Sequence, residues 1–90
     1  MKTQPAYVYV LVSAGKSPRW SYVGWTQDLE RRLAQHNGIG GRKGGAKSTR
    51  GRRWVLVYAE KCAGRGAGLK REYHLKHDRP FRAALREVLT

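Results

Sequence analysis

The run Tyr7-Val8-Tyr9-Val10-Leu11-Val12 is aromatic or branched aliphatic throughout, with no polar residue to mark a solvent face. Such a run predicts a strand buried on both faces. Ala14-Gly15-Lys16-Ser17-Pro18 then reads as a turn, and Trp20 to Trp25 as a second strand, so the two predict an antiparallel hairpin. Gly24 ends the regular pattern. Thr26 follows as a helix cap, with Asp28 in the first turn, where the helix dipole favours an anion.

The predicted helix spans about Gln27 to His36. Leu29 and Leu33 form its apolar stripe, and Arg32 and His36 form a second one about 60° round the cylinder, bordering the buried face. Asn37-Gly38 stops it. Residues 38–53 are a basic, glycine-rich loop. Trp54-Val55-Leu56-Val57-Tyr58 predicts the third strand, and the glycine-punctuated stretch Ala63 to Gly68 predicts a turn. The last third is helical, with Leu69 and Tyr73 on one face. Pro80 opens a final short helix carrying Phe81, Leu85 and Leu89. The order is β-β-α-β-α-α, an α/β (α+β) arrangement of 1–90 as one domain with no internal repeat.

Charge defines the partner. Ninety residues carry 19 Lys+Arg against 6 Asp+Glu, a net charge of +13. Between Glu30 and Glu60 there is no acid, while Arg31, Arg32, Arg42, Lys43, Lys47, Arg50, Arg52 and Arg53 all fall there. A merely soluble surface intersperses both signs; this segregation predicts a polyanion, with nucleic acid favoured over an anionic membrane. The cations sit among glycines rather than on an amphipathic helix, and no apolar run approaches the ~20 residues of a membrane span.

Cys62 is the lone cysteine. One thiol makes no internal disulfide, and no Cys/His cluster has zinc spacing, so Cys62 is expected to pack as a small apolar residue at a strand end. The expected compartment is reducing and intracellular, cytoplasmic or nucleoid-associated, or nuclear in a eukaryote.

Few side chains here are suited to chemistry. On helical geometry Glu72 projects between Leu69 and Leu75, in the half of the cylinder facing the core, where an unpaired charge costs several kcal/mol. Either an arginine pairs with it, or it faces a cleft and binds a divalent cation, since Mg²⁺ is satisfied by one or two carboxylates with water and substrate phosphate oxygens. Tyr9 and Tyr22 lie on consecutive strands. A phenol acts as general base if nearby cations lower its pKa from about 10. Arg32 and His36 would provide such a field, and Arg32 could neutralise charge developing on phosphoryl oxygens.

Taken in order, these segments resemble the GIY-YIG nuclease superfamily. The resemblance runs through Tyr7-Val8-Tyr9, Tyr22-Val23-Gly24, Thr26 to Leu33, Gln35-His36-Asn37, Gly45-Ala46-Lys47-Ser48-Thr49-Arg50 and Leu69-Lys70-Arg71-Glu72-Tyr73. It covers nearly the whole chain, and it is closest to small stand-alone bacterial members and to the catalytic domain of the eukaryotic nuclease that cuts branched DNA. It implies a three-stranded mixed or antiparallel sheet flanked by helices, and hydrolysis of a DNA phosphodiester with one divalent metal, Mg²⁺ or Mn²⁺. Carried over by position, Tyr9 and Tyr22 are the motif tyrosines, one of them the general base. Gly24 leaves room for substrate, Arg32 stabilises phosphate, His36 lies one turn later and Glu72 binds the metal. The first motif glycine is replaced by Tyr7, and Trp25 stands where excision-repair relatives carry lysine.

The resulting expectation is a metal-dependent endonuclease selecting DNA by structure (branched, flapped or nicked duplex), in repair or recombination. Asn37, Lys43, Lys47, Thr49, Arg50, Arg52 and Arg53 would contact substrate, the cations holding phosphates without reading bases. Two alternatives stand beside it: a non-catalytic nucleic-acid-binding module that retains the fold, and an RNA or ribosome-associated role. The sequence names no partner protein.

Overall fold

β1 (Ala6–Ser13) is the central strand of a three-stranded sheet, as its two-faced apolar pattern predicts. The computed structural model describes residues 4–15, 19–38 and 53–89. Within them follow β2 (Ser21–Thr26), α1 (Leu29–His36), β3 (Trp54–Cys62), α2 (Arg65–Lys76) and α3 (Arg79–Arg86), with a 3₁₀ turn at Glu87–Leu89. The strand order is β2-β1-β3, and both pairings are antiparallel.

Side-chain alternation divides the core in two. Val8 and Val10 join Val23 and Leu75 on the face that takes Phe81 and Leu85 of α3. Tyr9 and Leu11 join Trp54 on the other, packed with Tyr22 and with Leu29 and Leu33 of α1. Val8, Val10, Leu11 and Val12 have no exposed surface. Each contributes about 1.5–3 kcal/mol of burial, so β1 is the largest stabilising element for its length. Opposite Val10 and Leu11, β3 presents Tyr58 and Leu56, leaving Val57 as an extra residue in a bulge. The bulge turns Val57 and Tyr58 toward the same Val8/Val10 cluster.

Four local expectations are corrected. The cap of α1 is Asp28, whose carboxylate accepts from Arg31 N at 3.1 Å, and not Thr26. Thr26 instead closes a tight turn onto Asp28, its hydroxyl accepting from Asp28 N at 3.1 Å. β3 continues to Cys62, because Glu60 and Lys61 still pair with Val8 and Tyr7. Glu60 is fixed there by Tyr58 Oη at 2.7 Å and by Arg71 Nε, which reaches both carboxylate oxygens. α2 begins at Arg65 and absorbs the expected turn.

The fourth correction bears on the site. Leu69 and Tyr73 are exposed, and the buried residues of α2 are Gly68 and Leu75. A Cβ on Gly68 would lie 3.1 Å from Ala6 Cβ, so the bare backbone is what lets α2 sit down on β1. Glu72 falls four residues after Gly68 and three before Leu75, on that same inward line. Cys62 ends β3, half-buried against the Val8/Val10 cluster as expected. Among the described residues no helix is long and apolar enough to cross a membrane.

Candidate active site

Tyr9 and Gly24 are directly opposite on β1 and β2, and Tyr22 lies two residues before Gly24 on the same face. That geometry explains the glycine. A Cβ at position 24 would lie 2.5 Å from Tyr9 Oη and 2.9 Å from Tyr22 Cε2. The space expected for substrate at Gly24 is therefore filled by the two phenol rings of the chain itself, whose centroids are 6.2 Å apart.

α1 closes the pocket from above. Its last residue, His36, is buried, with Nε2 2.8 Å from Tyr9 Oη and its ring 4.8 Å from that of Tyr22. One turn earlier Arg32 lies against both phenols. Gln35 orients it, Oε1 accepting from Arg32 Nη1 at 3.1 Å. Asn37 then locks the end of α1 to β3: its side chain donates to Trp54 O at 3.1 Å and accepts from Trp54 N at 2.7 Å. The amide expected to contact substrate is engaged at both ends in holding the fold.

Electrostatics in the pocket follow from burial first. Tyr9 is 1% exposed, and desolvation pushes its pKa up to about 12; Arg32 opposes the rise, while Tyr22 and Glu72 add to it. The sequence-based argument that cations lower this phenol is reversed, because removing water penalises the phenolate more than one guanidinium rewards it. His36 is held down at about 4 by burial and then by the Arg32 charge, so its imidazole is neutral at pH 7. Burial works against the charge on Arg32, yet the bonds and charges of Tyr9 and Tyr22 outweigh it and raise its pKa.

Glu72 lies on α2, and its charge is the smallest of the influences that raise the Tyr9 phenol. Its side chain is 18% exposed, and Lys76 Nζ lies 3.5 Å from Oε1. Among the described residues no group of three metal-ligating side chains occurs. A hard divalent cation does not need one. An acceptor-only carboxylate held by a single solvent-accessible lysine, in a pair worth about 0.3–0.5 kcal/mol, fits a site completed by water and phosphate oxygens.

Outside the pocket, a cleft of about 370 Å³ runs along Arg32 between β2 and α1, lined by Trp25, Thr26, Gln27, Asp28, Arg31 and Gln35. Arg65 at the start of α2 stands over the Trp25 ring, 5.8 Å from its centroid. Arg65 was not singled out by sequence, and Gln35 was quoted within the Gln35-His36-Asn37 stretch without a role; its three-residue offset from Arg32 was the available signal. Of the expected phosphate contacts, Arg53 is exposed immediately before β3, whereas Lys43, Lys47, Thr49, Arg50 and Arg52 lie outside the described residues.

Fold and pocket together define an α/β protein that gathers two phenols, an imidazole, a guanidinium and a carboxylate at one antiparallel sheet. Residues 5–82 match the family described as the GIY-YIG catalytic domain, and the chain belongs to the GIY-YIG nuclease superfamily. It is 41% identical over 71 residues to a UPF0213 protein of Natronomonas pharaonis, covering 78% of this chain and 75% of that one. A UPF0213 protein of Syntrophus aciditrophicus is 42% identical with the same coverage of both chains, 78% and 75%. The structure-specific endonuclease subunit slx1 of Aspergillus terreus is 40% identical over 82 residues, 86% of this chain but 20% of that protein. No solved structure matches.

Proposed function

We propose that the protein is a metal-dependent endonuclease that cuts DNA phosphodiesters, choosing its substrate by structure rather than sequence, in repair or recombination. The observation that carries this reading is the Tyr9–His36 bond of 2.8 Å beside Arg32. With the proton of His36 on Nδ1, Nε2 accepts from the phenol. The Tyr9 oxygen then keeps a lone pair for an incoming water.

In the reaction, water attacks phosphorus while its proton passes to the Tyr9 oxygen and the phenolic proton passes to His36. No free phenolate forms, so a pKa of about 12 does not forbid the step. The new P–O bond forms as the bond to the 3′ oxygen breaks, and that oxygen takes a proton from solvent. Arg32 faces the charge that develops on the non-bridging oxygens. Glu72 would hold Mg²⁺ or Mn²⁺, which supplies Lewis-acid stabilisation of that charge and of the leaving oxygen. Tyr22, less buried than Tyr9, orients the His36 ring.

Preference for structure over sequence is supported by the character of the cations, guanidinium and ammonium groups that hold phosphates without reading bases. The name of the Aspergillus relative points the same way. The test is nicking of a labelled flapped duplex with Mg²⁺ or Mn²⁺, comparing the parent with Glu72→Ala. The parent should cut and the variant should bind without cutting. A parent that binds and never cuts would leave the non-catalytic binding module as the function, and strong preference for RNA in competition at fixed salt would overturn DNA as the substrate.

A further inference from the structure

α3 carries a second cationic feature, on the opposite face of the sheet from the Tyr9–His36 pocket. Phe81 and Leu85 turn toward the Val8/Val10 cluster. Arg79, Arg82 and Arg86 recur at spacings of three and four, so they share a stripe alongside that apolar one. Together they line a half-open cavity of about 210 Å³.

The stripe does not behave as an ordinary solvated helix face. Arg82 Nε is buried and has no hydrogen-bond partner among the described residues. Asp78, just before α3, is engaged elsewhere, a carboxylate oxygen capping Phe81 N at 3.1 Å. Arg86 is already positioned, with Nη1 donating to Ser21 Oγ at 3.2 Å and its carbonyl accepting from Arg19 Nη1 at 3.4 Å. Three like charges on one stripe repel, and a buried donor without an acceptor is costly. One bound anion would relieve both. A tetrahedral phosphate offers several acceptors to forked guanidinium groups, whereas a solvated surface offers no reason to bury Nε.

We infer that Arg79, Arg82 and Arg86 form a second phosphate-backbone site, which grips a different segment of the nucleic acid from the one at the Tyr9–His36 pocket. The inference rests on the nuclease reading and extends it. The α1 and α3 guanidinium groups are carried on opposite faces of the sheet, an arrangement that suits a substrate with a second arm. The site is therefore a device for preferring branched over linear DNA.

The experiment measures binding of the full chain, without metal, to a labelled flapped duplex and to a linear duplex of equal length, across a salt series. Arg79→Gln/Arg82→Gln removes two phosphate contacts, so the log–log salt slope on the flapped duplex should fall by about 1.8. With the two lines meeting near 1 M, affinity at 0.1 M salt should drop roughly 60-fold, and linear-duplex affinity by less than about threefold. Arg82→Lys, which keeps the charge and loses the fork, should retain the parent slope; it serves as the comparison if the double variant does not fold. Unchanged slope and affinity in the double variant, or a slope lost in Arg82→Lys as well, overturn the site and leave the nuclease reading standing. Equal weakening on both substrates overturns its assignment to a second segment. A parent that binds neither DNA overturns the inference and the nuclease reading together.

Discussion

Tyr9 on the central strand and His36 at the end of α1 share a buried hydrogen bond of 2.8 Å. That bond joins the least exposed aromatic of the sheet to an imidazole kept neutral by burial and by Arg32. It also links stability to the site, because the two groups that join α1 to the sheet are the ones assigned the proposed proton transfer.

Acid should weaken the fold through His36. Its pKa is about 4 in the folded chain against 6.5 ordinarily. Between those values the unfolded chain binds a proton that the native one does not, so stability is full above pH 6.5 and is lost as pH falls toward 4. At about 1.36 kcal/mol per unit the loss reaches on the order of 3 kcal/mol. Urea unfolding across this range should show it, and His36→Gln should flatten the dependence.

Gly24→Ala should disrupt the pocket. The added Cβ would meet Tyr9 Oη at 2.5 Å and Tyr9 Cζ at 2.7 Å, and the Tyr9 ring is buried in the cluster with Leu11 and Trp54. Overpacking of this kind costs about 1–3 kcal/mol. Thermal melting should report that loss, and nicking should fall further than the folded fraction does.

Asn37→Ala removes both bonds to the Trp54 backbone. At about 1 kcal/mol each, destabilisation should be on the order of 2 kcal/mol. If the role of Asn37 is to hold α1 on β3, nicking per folded molecule at saturating substrate should stay near the parent value. A KM increase with unchanged stability would instead restore the substrate contact expected from sequence.

If Glu72 holds the metal as proposed, Lys76 competes with it. Lys76→Met removes a pair separated by 3.5 Å, and the Mg²⁺ concentration for half-maximal nicking should fall about twofold. Glu72→Gln should raise it far more, or abolish nicking.

Much of this was legible in the sequence because β1 is so apolar. Its two-faced run placed Tyr9 in the core, and the four-residue steps of α1 put Leu29 and Leu33 down and brought Arg32 and His36 to the rim. α2 was misread for a physical reason. Hydrophobic periodicity points to Leu69 and Tyr73, but contact with Ala6 is made by Gly68, which has no side chain to register as apolar. Glu60 and Lys61 similarly hid the end of β3, since their pairing depends on the facing strand and on Arg71. The direction of the Tyr9 shift needed the burial of its hydroxyl as well as the neighbouring charges, and sequence gives only the charges.

In the proposed reaction the Tyr9 oxygen passes a proton to His36 during phosphodiester hydrolysis. Single-turnover nicking of a flapped duplex by Tyr9→Phe at saturating DNA and Mg²⁺ tests it most directly. The predicted result is a rate lower by about 10²–10⁴-fold with DNA affinity retained, and a much smaller loss in Tyr22→Phe. A Tyr9→Phe rate equal to that of the parent would contradict the account.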